Sequence, residues 1–174
     1  LPFCHLQEDS WALLGQVSAR WAVPADTLHE ALALQGWQVR HEELSGSEGF
    51  CACDTWNQTV IVARNFSDQL VCPTRHQEVL HWVLATQLGH IRLHGMLLLR
   101  GESRLLLEHQ ATDYAITFLL PLSLLQIHPD VAYLTQSQPP VKEAWARMCR
   151  VAEHFKVPTK CVQVALERYA LIYP

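Results

Sequence analysis

The sequence predicts a mostly helical α+β domain, and three observations carry this prediction. Apolar residues recur at helical spacing in several long segments, whereas three short segments between residues 37 and 62 lose this period and are separated by turn residues. The chain has 174 residues, of which 49% are hydrophobic and 17% are charged. This length and composition suffice for one buried core and exclude an intrinsically disordered chain.

The first third of the chain is expected to hold two helices and a small sheet. Residues 9–21 have the apolar stripe of an amphipathic helix, and Pro24 and Gly36 frame a second helix over residues 25–34. The three predicted strands are residues 37–41, which alternate, and residues 49–54 and 59–62, which follow turn residues. Because turn residues separate them, we expect a small antiparallel three-stranded sheet.

The rest of the chain is predicted to consist of four helices and one loop. Four helices are expected over residues 75–94, 103–120, 141–155 and 158–169. The segment 129–140 is rich in Gln, Ser and Pro and is expected to be a loop. The last two helices are joined by a short turn, which is typical of a helix-turn-helix unit. We therefore expect residues 136–174 to form a helical pair that packs on residues 1–135.

Charge and cysteine content narrow the function classes. A net charge of -4 argues against a protein that coats nucleic acid, and residues 139–174 carry only six basic residues against three acidic ones. No apolar run reaches the roughly 20 residues of a membrane helix, so no membrane partner is predicted. Six cysteines, and a start without the basic and apolar regions of a signal peptide, predict reduced thiols in the cytoplasm.

One motif on the helix predicted over residues 75–94 carries the functional argument. It reads Thr86-Gln87-x-x-His90, and residues 86 and 90 lie one turn apart on the same helix face. A zinc metallopeptidase has His-Glu-x-x-His at this spacing, because two imidazoles hold the ion and the glutamate accepts a proton from its bound water. Here the second histidine is present, but threonine and glutamine replace the first histidine and the glutamate.

The ordered set of motifs resembles the ImmA/IrrE-like metallopeptidases over nearly the whole chain. The segments that carry the resemblance are residues 31–39, 60–62, 82–90, 108–121 and 151–169. Residues 82–90 are similar to the family's Phe-Thr-x-Ala-His-Glu-x-Gly-His helix, and residues 108–121 to its Glu-x-x-Ala-Asn-x-Phe-Ala helix, which ends in Leu-Leu-x-Pro. The resemblance implies a zincin-like domain over residues 1–135, closed by a helix-turn-helix-like pair over residues 136–174.

The resemblance also assigns expected roles to five residues. His90 matches the second zinc histidine, and Glu108 matches the third protein ligand. Thr86 stands where the first zinc histidine would be, Gln87 where the general base would be, and Thr112 where the family has asparagine. A binding pocket is therefore implied around these five side chains. Because Thr86 and Gln87 are neutral, no catalytic residue and no cofactor are predicted.

Alternatives for the histidines and Glu108 stay open at this point. His90 would otherwise be a hydrogen-bonded core histidine, and Glu108 would either lie exposed or pair with His90 in place of a metal. A retained zinc ion would use His90 and Glu108, with His94, one turn further along the helix, as an alternative ligand. His76 and His81 are five residues apart, which is poor helical alignment, and are interpreted as surface histidines.

The sequence favours a catalytically inactive pseudo-metallopeptidase that acts as a binding or regulatory protein. Active members of the family cleave helix-turn-helix repressors and so switch on stress or mobile-element genes, which implies a repressor as the protein partner and a role in transcription regulation. The main alternative is an active metallo-endopeptidase that cleaves such a repressor with an altered zinc site.

Two further hypotheses are kept from the sequence. An enzyme of another kind would use Cys51 or Cys72 as a nucleophile. The pair Cys51-Ala52-Cys53 lacks the second pair of a zinc site and is interpreted as incidental strand cysteines. A DNA-associated regulator would use the last two helices, and the basic residues named for this role are Arg147, Arg150 and Lys160.

Overall fold

A mostly helical α+β fold is present in the computed structural model, as the sequence predicts. The structure describes residues 3–14, 23, 25–44, 51–64, 76–95, 104–137 and 139–172. Its elements are α1 (Phe3–Leu14), α2 (Ala25–Leu34), β1 (Gln38–Glu42), β2 (Cys51–Asp54), β3 (Thr59–Ala63), α3 (His76–Leu93), α4 (Arg104–Leu119), α5 (Leu122–Ile127), α6 (Pro129–Ser137), α7 (Val141–Phe155) and α8 (Thr159–Arg168). Within these ranges, every helix is too short or too polar to cross a membrane.

The sheet is mixed, so the prediction of an antiparallel sheet is wrong for one of its two pairings. Its strand order is β1-β3-β2, with β2 antiparallel to β3 and β1 parallel to β3. Asp54 fixes the turn between β2 and β3, because its carboxylate accepts hydrogen bonds from the backbone N–H groups of Trp56 and Asn57. Strands β1 and β2 therefore lie on opposite sides of β3.

The two N-terminal helices agree with the sequence in part. Helix α2 spans the predicted residues and ends at Gly36, whose φ of 78° is the left-handed conformation that favours glycine after a helix. Helix α1 begins at Phe3, six residues before its predicted start at Asp9. Leu6 is buried on the same apolar face of this helix as Leu13, so the apolar face extends further toward the N-terminus than predicted. The predicted continuation over residues 15–21, and Pro24, lie outside the described residues.

Helices α3 and α4 cross closely at the centre of the molecule. A Cβ atom at Gly89 would lie 2.7 Å from the carbonyl oxygen of Ala111 and 3.0 Å from its Cα. The absence of a side chain at Gly89 therefore lets the α4 backbone reach α3. Tyr114 and Phe118 of α4 are fully buried and stack at 6.3 Å in the core. This crossing determines which side chains of the two helices meet at the candidate site.

The prediction of a loop over residues 129–140 is wrong, because α6 covers most of that segment. Val131 and Leu134 of α6 are buried in the core, and this burial outweighs the polar composition around them. Pro129 stands at the first position of the helix, where its missing N–H leaves no hydrogen bond unmade. The preceding helix, α5, was not predicted as a separate element.

The C-terminal helices share the hydrophobic core of the preceding elements. Helix α7 spans the predicted residues 141–155, and α8 lies within the predicted segment 158–169. Lys156 ends α7 in the left-handed conformation, with φ 55° and ψ 46°. The hydroxyl of Tyr169 donates a hydrogen bond to the carbonyl oxygen of Leu120 at 3.0 Å. The division of the chain at residue 135 stays a prediction.

His81 contradicts its interpretation as a surface histidine, because only 5% of it is exposed. Its Nδ1–H donates to the carbonyl oxygen of Lys156 at 3.1 Å and so ties α3 to the corner between α7 and α8. Burial, as the main cause, lowers the pKa of His81, and the nearby His29 adds to this lowering.

The variant His81→Gln should have a weaker pH dependence of stability than the wild type. Because the folded-state pKa is lowered, the unfolded state binds the proton more readily, and stability is lost as the pH falls below the ordinary pKa of histidine. The glutamine amide keeps a donor but does not titrate. Urea unfolding at pH 7, 6 and 5 should show the wild type losing up to about 1.4 kcal/mol per pH unit more than the variant. Parallel pH profiles would contradict this assignment.

Candidate functional site

A row of four polar side chains connects α3 and α4 beside the predicted motif. In it, Glu108 Oε2 lies 3.3 Å from His90 Nε2, and His90 Nδ1 lies 3.2 Å from His94 Nδ1. His94 Nε2 in turn lies 3.0 Å from Gln110 Oε1. The close crossing at Gly89 brings α4 near enough for these contacts. We call Glu108, His90, His94 and Gln110 the histidine row.

The histidine row is buried in its middle and open at one end. His90 and His94 are 6% and 5% exposed, whereas half of the Glu108 side chain is exposed. The contact between Glu108 and His90 confirms one of the alternatives drawn from the sequence. Gln110 was not predicted, because it lies only two residues beyond Glu108 and helical periodicity does not place the two on one face.

Thr86 and Gln87 have their polar atoms bonded within the protein. The Thr86 hydroxyl donates to the carbonyl oxygen of Trp82 at 2.9 Å, four residues earlier on the same helix. Gln87 Oε1 accepts a hydrogen bond from the thiol of Cys53 on β2 at 2.9 Å. Thr86 and Gln87 stand where the resemblance places the first zinc ligand and the general base. Both side chains are uncharged and already hydrogen-bonded, so neither provides a basic atom for that chemistry.

The two cysteines of β2 remain protonated at neutral pH. Burial raises the pKa of Cys53 to about 11. Burial, with a smaller effect from Cys53, raises the pKa of Cys51 to about 12. Because the thiolate is the reactive form, this environment does not favour Cys51 as a nucleophile. The other candidate, Cys72, lies outside the described residues.

The residues at this site do not fit the catalytic zinc centre that the family resemblance implies. A tetrahedral ion with bonds of about 2.0–2.1 Å separates two of its ligand atoms by about 3.3 Å, which the atoms of His90 and Glu108 match. A catalytic zinc ion needs a third protein ligand, and the hydroxyl of Thr86 is a poor one. Among the described residues, no group of three or more His, Cys, Asp and Glu side chains is arranged to hold a metal.

The alternative zinc set of His90, His94 and Glu108 does not converge on one point. Glu108 approaches the Nε2 atom of His90, whereas His94 approaches the Nδ1 atom on the other side of that ring. The three side chains therefore form a row, in which Glu108 and His94 lie on opposite sides of His90. One ion bound by all three is excluded by this arrangement unless the rings rotate.

Thr112, one turn after Glu108 on α4, lines an apolar groove of about 290 Å³. The groove lies between α3, α4 and α8. The residues that line it are Trp82, Thr112, Pro158, Lys160, Cys161 and Val164. Of the five side chains of the predicted pocket, Thr112 is the one that lines this groove, and a common pocket for all five stays a prediction.

The basic residues named for a DNA contact are engaged in contacts within the protein. Arg147 and Arg150 both donate to the carboxylate of Asp130, at 2.9 Å and 2.6 Å. Arg147 also pairs with Glu143 and lies over the ring of Tyr133. The ammonium group of a third residue, Lys160, donates to Gln163 Oε1 at 3.0 Å. These contacts compete with phosphate binding by the same groups, and DNA binding stays a hypothesis.

Comparison with known proteins gives no relative from which a function can be transferred. No protein-family model, no curated protein and no solved structure matches this chain. The family resemblance described above therefore stays a prediction, and any function has to be argued from the site itself.

Proposed function

We propose that this protein is a catalytically inactive, metallopeptidase-like protein that binds a protein partner. The observation that carries the proposal is the state of Thr86 and Gln87, whose neutral side chains are bonded to Trp82 and Cys53. His90 and Glu108 keep the spacing of two metal ligands, but Gln87, which stands where the resemblance places the general base, is a neutral amide. We infer that the scaffold has been retained without its hydrolytic chemistry.

Of the two changes at the motif, the loss of the general base reduces the expected rate of hydrolysis more. Gln87 has almost the shape of glutamate but no basic carboxylate, so it cannot accept a proton from a metal-bound water, and such a loss typically costs about 10²- to 10⁴-fold in rate. The loss of a metal ligand at Thr86 adds to this, because a two-ligand site holds an ion weakly. The two deficits act on different steps of the reaction, and we expect their effects to multiply.

The proposed binding surface lies along β2 and its turn. Within the described residues, β2 pairs with β3 alone, so its second edge has backbone groups available for a further strand. Cys53 in this strand contacts Gln87 of α3, and Trp56, three residues later, is 94% exposed. Large exposed aromatic side chains are common anchors of protein interfaces. We propose that an extended segment of the partner pairs with β2 and covers Trp56.

A helix-turn-helix repressor is the partner class that the family resemblance implies. We propose such a repressor as the partner, with a regulatory role in transcription or the stress response and a cytoplasmic location. The protein would then hold the repressor without cutting it. A metallo-endopeptidase with an altered zinc site is the competing proposal, and it predicts that the partner is cleaved.

A cross-linking experiment in cells of the native host tests this proposal. One variant has a photo-cross-linking residue in place of Trp56, and a matched control has it in place of Val141, which is 86% exposed on α7. We expect a defined partner to cross-link from position 56 and not from position 141, and to stay intact when it is incubated with the wild type and zinc. Zinc-dependent cleavage of that partner, or equal cross-linking from both positions, would contradict the proposal.

A further inference from the structure

Strand β1 forms one edge of the sheet, and among the described residues it pairs with β3 alone. Four of its five residues are exposed, and Val39 is partly buried. An exposed edge strand presents unpaired N–H and C=O groups on which another strand can pair. This edge lies across the sheet from β2, where the proposed partner segment binds, and it is therefore a separate surface.

The hydrogen bonds of β1 show which of its backbone groups face the open edge. The N–H group of Gln38 and the carbonyl oxygen of Glu42 bond to residues that flank β3, at 2.9 Å and 2.7 Å. Because successive residues of a strand alternate in this direction, the N–H and C=O groups of Val39 and His41 face away from β3. The carbonyl oxygen of His41 accepts one bond from the Arg64 guanidinium, at 3.2 Å, and its second lone pair remains for a new strand.

The charges of β1 make this strand complementary to a second copy of itself. Arg40 and Glu42 are exposed, and they lie on the same face of the sheet because they are two residues apart. In an antiparallel pair centred on His41, Arg40 of each copy lies directly opposite Glu42 of the other. The same register joins the outward backbone groups of His41 to each other and those of Val39 to Glu43.

The neighbouring register is unfavourable for electrostatic reasons. A pair centred on Arg40 would also join outward backbone groups, because Val39 would then lie opposite His41. It would place Arg40 opposite itself, however, and like charges directly opposite each other destabilise a strand pair. Charged side chains on an edge strand commonly prevent pairing, but here the two signs make one register attractive.

We propose that two copies of this protein associate through β1 as a symmetric dimer. The two sheets then form one sheet of six strands in the order β2-β3-β1-β1-β3-β2, with the two-fold axis at His41. Both β2 strands stay at the ends of this sheet, so the dimer is independent of the proposed function. Because a pairing of so few residues is small beside the roughly 1,200–2,000 Å² of a stable interface, we expect a dissociation constant in the micromolar range.

Sedimentation of the whole chain from about 1 μM to about 1 mM tests this association. We expect the wild type to dimerise, and Arg40→Glu and Glu42→Arg each to dimerise at least about tenfold more weakly, because each change makes both pairs repulsive. An equal mixture of these two variants should dimerise again, since every pair in the mixed dimer joins an arginine to a glutamate. Lys142→Glu, an exposed charge reversal on α7, is the matched control and should behave like the wild type.

Three results of this experiment would overturn the proposal. They are a wild type that stays monomeric over the whole range, a dimer that both charge variants leave unchanged, and a mixture no more dimeric than either variant alone. A further variant, His41→Pro, tests the backbone pairing, because the N–H group that it removes faces the open edge and the bonds to β3 are kept. Circular dichroism should show that it is folded and sedimentation that it is monomeric, whereas association like that of the wild type would contradict the pairing.

Discussion

The variant Gly89→Ala is expected to be less stable than the wild type by about 2–3 kcal/mol, as overpacked core variants are. In an open helix this change stabilises by up to about 1 kcal/mol, so the expected sign is reversed. The reason is the close crossing of α3 and α4, where the new Cβ would lie 2.7 Å from the carbonyl oxygen of Ala111. The clash is with backbone, which a change of side-chain rotamer cannot relieve. Urea unfolding at neutral pH measures the difference.

The matched control is Gly95→Ala, because a Cβ at Gly95 would meet no atom within 4 Å. Its φ of 45° makes alanine strained there by roughly 1–2 kcal/mol, without any clash. The two variants also differ at the site, since only Gly89→Ala pushes α4 away and lengthens the contact between His90 and Glu108. Equal stability of Gly89→Ala and the wild type would mean that the two helices do not cross as closely as described.

The double substitution Thr86→His with Gln87→Glu is expected to create a zinc site. Residues 86 and 90 lie one turn apart, so a histidine at position 86 adds a ligand beside His90 Nε2 and Glu108, which already have the spacing of two zinc ligands. The change should be made in a His94→Gln background, which removes the second imidazole beside His90 as a competing ligand. Zinc affinity, measured by calorimetry, should rise at least about 100-fold over that background, because a direct ligand contributes at least as much as the roughly 100-fold that residues behind the ligands can contribute.

Single substitutions serve as controls for this experiment. Thr86→His alone should provide most of the gain in zinc affinity, because it adds the ligand. Gln87→Glu alone should provide little, because the family's glutamate accepts a proton and does not bind the ion. A double variant that folds and binds zinc no better than its background would show that positions 86, 90 and 108 do not face one point.

The helices could be predicted from the sequence where one face is regularly apolar, as in α2 and α7. The prediction failed for α6, because Gln, Ser and Pro dominate its composition and only Val131 and Leu134 reach the core. The parallel pairing of β1 with β3 could not be predicted either. Local alternation identifies a strand but contains no information on the order of strands in the sheet.

The contacts of the candidate site could be predicted from the sequence only in part. The contact of His90 with Glu108 was one of the alternatives that the sequence left open, because the resemblance implies that both lie near one ion. The bond of Cys53 to Gln87 joins residues 34 positions apart, and no periodic pattern connects a strand to a helix at that distance. Gln110 contacts His94 from a position that helical spacing relative to Glu108 does not favour. Both contacts depend on tertiary packing.

The most direct test of the central claim is the position of zinc in crystals soaked with the ion, located by anomalous scattering. The claim is that Thr86 and Gln87 leave no hydrolytic centre at His90 Nε2 and Glu108. The account predicts no anomalous density between His90 Nε2 and Glu108 Oε2 in the wild type. A zinc ion bound by His90 Nε2 and Glu108, with a water molecule completing its shell, would contradict the account.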